Sequence, residues 1–258
     1  MINKLKRFRE IINDKTIICF TSDIDWASEY AINSTIEFFN SKKIPLTMFL
    51  THKSNVVEKA LNDKKIKAGI HPNFMPDSSQ GKDYKQVVDF CFDILPASVG
   101  YRSHRYYSVN DTVEIMIKRG IKFESNVCTL LDDIPPYLNR NGIVEFPIFF
   151  EDGAYLLNNK EINFNNFKKE FLSKGLKVIN IHPMHLMLNT PYFKYTREIK
   201  DRLSREEWNN LTKESIDKIS YKGTDGIRKV ITDMVESVKE NNIETMYMED
   251  IYNLINTL

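Results

Sequence analysis

The sequence has few cysteines and no long apolar run. Its three cysteines, Cys19, Cys91 and Cys128, lie far apart and form no CxxC pair, so neither a zinc knuckle nor a disulfide framework is indicated. Thiols of this kind fit a reducing cytosol. No apolar stretch approaches the roughly 20 residues that cross a bilayer. We therefore expect a cytoplasmic protein with no membrane span.

Charge of one sign is also missing. The 36 basic and 35 acidic residues are interspersed and leave a net charge of +1. Because the chain has no basic tail or arm, we expect no nucleic-acid partner. The N-terminal segment 1–16 lacks the apolar core of a signal peptide, and its apolar spacing predicts an amphipathic helix.

Short apolar runs alternate with amphipathic segments along the chain. The predicted strands are 16–22, 45–51, 66–70, 97–101, 121–127, 143–150, 176–181 and 244–249. The predicted helices include 28–43, with Ser28 as its N-cap, 109–120, 163–175 and 223–242. This alternation predicts parallel strands with crossover helices. Seven or eight strands without a glycine-rich phosphate loop favour a closed barrel over an open doubly wound sheet.

The length of 258 residues suits a single domain over 1–258. Residues 187–222 differ from the rest because they are polar and irregular, and they follow directly on a string with two histidines. We expect either a surface excursion of helices and loops or a lid that walls a substrate site.

Histidines and aspartates gather directly after predicted strands. Four of the five histidines lie in the strings GIHPNF, GYRSH and NIHPMH. They are His71, His104, His182 and His185. A fourth string, TSDIDW, ends the first strand and supplies Asp23 and Asp25. Imidazoles and carboxylates at strand ends are suitable ligands for a divalent metal, which indicates a metal-dependent enzyme rather than a binding module.

The two aspartates would face one side of an extended strand, where carboxylates repel each other unless a cation or proton lies between them. Asp23 and Asp25 are therefore either a metal ligand and a general base or two solvated loop residues. Arg102 either holds one carboxylate by a two-pronged hydrogen bond or forms an ordinary ion pair. His104 binds metal, contacts substrate or caps the next helix.

His182 and His185 are three residues apart. Pro183 disfavours a helix that begins at His182, so we expect His185 to lie in a turn. One of the two histidines can protonate a leaving group. Glu151 and Asp152 precede a glycine and are either turn residues or groups that orient a histidine or contact substrate.

Taken in order, SDID, GIHPNF, YRSH and INIHPMH resemble the motifs of the polysaccharide deacetylase family, the NodB-homology or carbohydrate esterase family 4 proteins. The resemblance spans residues 16–186 and is closest to the WbmS-like branch, which is encoded with bacterial surface-polysaccharide pathways. It implies a distorted (β/α) barrel of about seven strands. It also implies a divalent metal, commonly zinc, and removal of an N-acetyl group from a sugar or nucleotide-sugar.

The resemblance also implies roles for individual residues. Asp23 corresponds to the base and Asp25 to a metal ligand. His71 corresponds to the first metal-binding histidine, and Arg102 to the arginine that braces the catalytic aspartate. His182 corresponds to the general acid.

The chain departs from the family pattern at several positions. An isoleucine separates the two acids, so the roles of Asp23 and Asp25 can be exchanged. The second metal-binding histidine falls at Met75, and a thioether is an unsuitable zinc ligand there. Ser103 replaces the usual proline after the arginine. The candidate replacement ligands are Asn73, His104 and His185.

Aromatic residues beside these strings, such as Trp26 and Tyr106, either stack on a sugar ring or pack in the core. Two rival functions remain open. One is a non-catalytic carbohydrate-binding protein on a decayed deacetylase scaffold, which Met75 favours. The other is a hydrolase of small amides that are not sugars, because related branches do this.

Overall fold

The structure is a computed structural model that describes residues 1–258, and its ten strands form one sheet. The strands are β1 (Thr16–Asp23), β2 (Leu46–Leu50), β3 (Lys67–Ile70), β4 (Gly100–Tyr101), β5 (Phe123–Glu124), β6 (Tyr137–Leu138), β7 (Val144–Glu145), β8 (Ile148–Glu151), β9 (Gly175–Ile181) and β10 (Glu244–Thr245). The helices are α1 (Ile2–Asp14), α2 (Glu29–Asn40), α3 (Asn55–Asn62), α4 (Tyr84–Ile94), α5 (Asn110–Lys118), α6 (Asp152–Leu157), α7 (Lys168–Leu172), α8 (Pro183–Leu188), α9 (Tyr195–Lys200), α10 (Arg205–Asn209), α11 (Lys213–Ile219), α12 (Ile227–Glu240) and α13 (Met248–Thr257).

Seven strands follow one another around a distorted barrel. Parallel pairing joins β5, β4, β3, β2, β1, β9 and β8 in that order. A parallel bridge between Cys128, just after β5, and Ile148 of β8 brings the two ends of this row together. The predicted (β/α) barrel of about seven strands is therefore confirmed. The remaining strands extend the sheet, with β7 on β5, β6 antiparallel to β7, and β10 on β1.

Side chains alternate between the two faces of the central strands. On β1, Ile17 and Cys19 belong to an apolar cluster that also contains residues of α1 and α13. Ile18 and Phe20 belong to the larger cluster formed with α2, α8 and α12. The first cluster fills the inside of the barrel, where α1 and α13 close one end, and the second joins the barrel to its outer helices.

The inward-facing row becomes polar toward the C-terminal ends of the strands. On β1 it runs from Cys19 to Thr21 and Asp23, and on β9 it runs from Val178 to Asn180, all of them buried. The barrel therefore has an apolar end and a polar end. Barrels of this class carry their chemistry at the C-terminal ends of the strands, which is the polar end here.

Local sequence signals explain several element boundaries. The α2 helix begins after Ser28, whose hydroxyl accepts a hydrogen bond from the Ala31 amide at 3.3 Å, so the predicted N-cap is confirmed. Residues 187–222 form helices and loops, including α9, α10 and α11. None of the helices combines the length and the apolar character that crossing a membrane requires.

The predicted strand at 244–249 is wrong over its second half. Only Glu244–Thr245 pairs with β1, and α13 begins at Met248. Met248, Ile251 and Ile255 recur at helical spacing and are buried in the cluster inside the barrel. Burial of that face therefore outweighs the strand propensity of the short run.

Two buried carboxyl groups face each other across β5 and β7. Glu124 and Glu145 are paired in register, and each is 2% exposed. Glu145 accepts hydrogen bonds from the amides of Asn126 at 2.8 Å and Val127 at 3.2 Å. Glu124 accepts hydrogen bonds from the Tyr101 hydroxyl and the Asn126 side chain. Burial and the charge of Glu124 raise the pKa of Glu145 from 4.5 to about 8.

This raised pKa predicts that stability falls as pH rises. The unfolded chain releases the Glu145 proton near pH 4.5, whereas the folded chain retains it until about pH 8. The free energy of unfolding should therefore decrease through that window. Glu145→Gln removes this titration, so its thermal unfolding midpoint should fall less between about pH 5 and pH 8 than that of the unchanged protein. The exposed Glu114→Gln is the control, and an equal fall in all three proteins would contradict the expectation.

Candidate metal centre and catalytic residues

Three side chains from different strand ends converge at the polar end of the barrel. Asp25 follows β1, His71 follows β3, and His104 opens a 3-10 turn after β4. Nε2 of His71 and Nδ1 of His104 each lie 3.1 Å from Oδ1 of Asp25. Ligands around a tetrahedral zinc, with bonds of about 2.0–2.1 Å, lie about 3.3 Å apart. The spacing of Asp25, His71 and His104, called the metal group below, therefore fits a single ion.

The chain reaches the metal group through a left-handed turn. Strand β1 ends at Asp23, and Asp25 and Trp26 have φ of +37° and +54°. Such values are unfavourable for residues other than glycine and are concentrated at functional sites. The expectation that Asp23 and Asp25 project from one extended strand is therefore wrong, because the strand ends before Asp25. Both carboxylates nevertheless lie near His71, whose Nδ1 is 3.8 Å from Oδ1 of Asp23.

The Asp25 carboxyl is held in its charged form. Burial acts to raise its pKa, but the charge and hydrogen bond of His104, together with His71 and His182, hold that pKa well below its usual range. An ionised carboxylate is the form that binds a metal ion.

Arg102 lies fully buried beneath this group. Its Nη1 donates hydrogen bonds to Oδ1 of Asp23 at 3.0 Å, Oγ1 of Thr21 at 2.8 Å and Oδ1 of Asn180 at 2.7 Å. Its Nε donates to the carbonyl of Ser125 at 3.0 Å, and Nη2 donates to the Ser125 hydroxyl at 2.8 Å. Arg102 therefore contacts Asp23 through Nη1 alone and not by a two-pronged hydrogen bond, because its Nη2 donates to Ser125.

Asp23 is fixed by partners on both carboxylate oxygens. Oδ1 accepts from Arg102, and Oδ2 accepts from the side-chain amide of Asn180 at 2.8 Å. Sequence reasoning missed Asn180 and Thr21. Strand alternation could have predicted both, because residues two apart on a strand face the same side. Thr21 lies two residues before Asp23, and Asn180 lies two residues before His182.

A second cluster surrounds His182. Its Nδ1 lies 2.6 Å from Oδ1 of Asp152, and its backbone amide donates to Oδ2 of the same carboxylate at 2.7 Å. Its Nε2 lies 3.6 Å from Oδ2 of Asp25. A separation of 2.6 Å is that of a charge-assisted hydrogen bond and is too short for two ligands of one ion. Asp152 thus orients His182 toward the metal group.

His185 belongs to this second cluster. Its Nδ1 lies 3.5 Å from Oδ1 of Asp152. The expectation of a turn at His185 is wrong, because α8 begins at Pro183 and proline is well tolerated in the first helical position. The structure therefore brings His104, rather than His185, to Asp25.

Charges in the second cluster favour a protonated imidazole. Burial acts to lower the pKa of His182, but the charge and hydrogen bond of Asp152, together with Asp25 and Glu151, hold that pKa well above its usual range. Burial raises the pKa of Glu151 to about 7, against the opposing charge of His182. Both carboxylate oxygens of Glu151 accept hydrogen bonds from the backbone amides of Gly153 and Ala154, so this residue also caps α6.

Two aromatic side chains border the site. The Trp26 indole meets the His104 ring edge-on, with the ring centroids 5.3 Å apart. The Tyr106 hydroxyl accepts a hydrogen bond from Asn180 at 3.4 Å, and Tyr106 also has a positive φ of +57°. Trp26 therefore contacts the metal group directly, whereas Tyr106 is joined through Asn180 to the pair of Asp23 and Arg102.

Asn73 has a structural contact instead of joining the metal group. Its Oδ1 accepts a hydrogen bond from the backbone amide of Met75 at 3.1 Å, and its own backbone amide donates to Oε1 of Gln80 at 2.5 Å. Gln80 is buried and donates to the carbonyls of Thr51 at 2.9 Å and His71 at 3.1 Å. Gln80, which sequence reasoning missed, thereby holds the loop that positions His71.

Comparison with known proteins identifies the family. The WbmS-like polysaccharide deacetylase family matches residues 20–199. This chain belongs to that family. A search of curated proteins finds no match to this chain.

Solved structures of two deacetylases and an allantoinase share the fold. A Bordetella bronchiseptica protein described as a polysaccharide deacetylase involved in O-antigen biosynthesis is 23% identical, with 85% of this chain and 89% of that chain covered and a TM-score of 0.74. A peptidoglycan N-acetylglucosamine deacetylase is 10% identical, with coverage of 93% and 89% and a TM-score of 0.50. An allantoinase is 11% identical, with coverage of 93% and 89% and a TM-score of 0.52. These matches confirm the NodB-type barrel.

The two clusters predict different effects of histidine substitutions on metal binding. His71→Ala and His104→Ala should each weaken zinc binding by more than about 100-fold, because each removes one of three converging candidate ligands. His185→Ala should leave binding unchanged. His52→Ala is the matched control, because His52 belongs to neither cluster. Calorimetric titration of the apoproteins measures this, with circular dichroism as a check on folding, and full binding by His104→Ala would contradict the assignment.

Proposed function

We propose that this protein is a metal-dependent hydrolase that removes an N-acetyl group from a sugar or a sugar-containing precursor. The convergence of Asp25, His71 and His104 above the buried pair of Asp23 and Arg102 carries this proposal. With His182, whose Nε2 lies 3.6 Å from Oδ2 of Asp25, this arrangement would supply a metal site, a carboxylate base and a protonated histidine side by side. Family membership supports the same class of reaction.

A divalent metal, for which we propose zinc, would be held by Asp25, His71 and His104 and would polarise the acetyl carbonyl and acidify a water molecule. Asp23 is the proposed base that accepts the proton of this water. Its orientation is fixed by Arg102 and Asn180, and a fixed carboxylate requires little reorganisation during the reaction.

His182 is the proposed acid that protonates the departing amine. The charge of Asp152 keeps the imidazole protonated, and their hydrogen bond directs Nε2 toward the metal group. Free sugar amine and acetate are the products. Trp26 and Tyr106 are the proposed surfaces for the sugar ring.

Met75 does not by itself favour a non-catalytic role. The family histidine is absent at that position, but His104 supplies an imidazole nitrogen 3.1 Å from Asp25. The metal group therefore retains three protein ligands, as catalytic zinc sites commonly have. This arrangement supports catalysis over a decayed carbohydrate-binding scaffold.

We also propose that residues 1–258 form one catalytic domain that acts in the cytoplasm during synthesis of a bacterial surface polysaccharide. The three free cysteines support a reducing compartment. The description of the Bordetella protein as involved in O-antigen biosynthesis supports the pathway.

Acetate release tests this function. The zinc-loaded protein should release acetate from at least one member of a panel of N-acetylated sugars and nucleotide-sugars. Asp23→Asn should lower the rate by about 10²- to 10⁴-fold, because it removes the base. Asp63→Asn, on the exposed end of α3, is the matched control. Absence of acetate from every substrate, with only non-sugar amides hydrolysed or none at all, would refute the proposal.

The pH dependence tests the role of Asp152. Because its charge holds the His182 pKa above the usual range, activity should persist through neutral pH and decline only in alkaline solution. Asp152→Asn removes that charge, so the alkaline limb of the rate profile should move to lower pH. An unchanged limb would show that His182 is not the acid.

A further inference from the structure

A polar cavity of about 490 Å³ opens beside the metal group. Trp26 and Asn73 line it on the barrel side, and Lys200, Arg205 and Trp208 line it on the side of α9 and α10. Trp26 directly follows Asp25 and contacts His104, so it forms a wall shared by the cavity and the metal group. A ligand in this cavity would therefore extend to the metal group.

The cavity has two cations without carboxylate partners. Arg197 pairs with Asp201 at 2.8 Å, whereas neither Lys200 nor Arg205 forms a salt bridge. Five charged residues line the cavity, three basic and two acidic, which leaves a net charge of +1. The one unpaired acid, Asp77, is exposed, and so are Lys200 and Arg205. Free cations beside a concave surface favour an anionic ligand.

The positions of both cations are constrained. The Lys200 ammonium lies 5.5 Å from the centroid of the Trp208 ring, and Nη2 of Arg205 donates to the Ser79 hydroxyl at 3.1 Å. Burial lowers the pKa of Lys200, against the opposing charge of Asp25.

Trp208 is 3% exposed and packs into the large apolar cluster, so it borders the cavity as a fixed ring and not as a donor. The side-chain cations that line the cavity without a carboxylate partner are the Lys200 ammonium and the Arg205 guanidinium, a pair suited to an oxyanion.

We propose that this cavity binds an oxyanion group, a phosphate or a carboxylate, carried by the N-acetylated sugar. The inference rests on the proposed function, because it places the acetamido group at Asp25, His71 and His104 and the acidic group between Lys200 and Arg205. Trp26 lies between these two positions. The substrate class is then an acidic N-acetyl sugar, either a sugar phosphate or an N-acetylated uronic acid.

Calorimetry on the metal-free protein tests binding without catalysis. The three probes are N-acetylglucosamine 1-phosphate, N-acetylglucosaminuronic acid and the neutral methyl N-acetylglucosaminide. At least one acidic probe should bind about tenfold more tightly than the neutral probe, and the probe that does so identifies the phosphate or the carboxylate as the group. Equal affinity for all three would overturn the proposal.

Charge variants locate the anion. Lys200→Gln and Arg205→Gln should each weaken binding of the preferred acidic probe by about tenfold and leave the neutral probe unchanged. Arg202→Gln is the matched control, since Arg202 is exposed in the same segment and does not line the cavity. An equal loss with Arg202→Gln would overturn the proposal, because it would indicate only general attraction.

Kinetics separate failure of this inference from failure of the proposed function. If neutral and acidic sugars release acetate with equal KM and Lys200→Gln has no effect, the cavity proposal fails and the hydrolase stands. If no sugar releases acetate but the metal-free protein still binds the acidic probe through Lys200, the hydrolase fails and the anion site stands. The expected result is a raised KM for acidic substrates in Lys200→Gln with kcat retained.

Discussion

The ion pair between Arg102 and Asp23 inside the barrel is the interaction on which the site depends. Each guanidinium nitrogen of Arg102 donates a hydrogen bond, and its Cζ lies 4.4 Å from the ring centroid of Phe49. The pair links β1 to β9 and to the segment after β5. Loss of one partner from such a buried pair leaves an uncompensated charge and costs about 3–5 kcal/mol. The same contact therefore stabilises the barrel and orients the proposed base.

The chemistry of the site follows from the two faces of its strands. Inward positions are apolar where α1 and α13 close the barrel and polar where the strands end. The two proposed acid–base groups are held by fixed partners, since Arg102 and Asn180 hold Asp23 and Asp152 holds His182. Such partners set the orientation of ligands and acids, and their removal usually weakens a site even when the ligands remain.

Strand ends made part of this site predictable from the sequence. The carboxyl ends of parallel strands meet at one edge, so Asp25, His71 and His182 are expected there as soon as the strands are recognised. The choice of His104 over His185 depends on a left-handed turn and on a helix that begins at a proline, and neither changes the apolar pattern. Lys200 and Arg205 approach the site only through tertiary packing of a distant segment, which strand and helix periodicity does not reveal.

X-ray absorption spectroscopy of the zinc-loaded protein tests the central claim most directly. Asp25, His71 and His104 should give a first shell of nitrogen and oxygen at about 2.0–2.2 Å with two imidazoles, and His104→Ala should lose one imidazole. A sulfur at about 2.3 Å, the distance of a zinc-bound thiolate, would instead indicate a ligand outside this group. That result, or an unchanged imidazole count in His104→Ala, would contradict the shared metal centre.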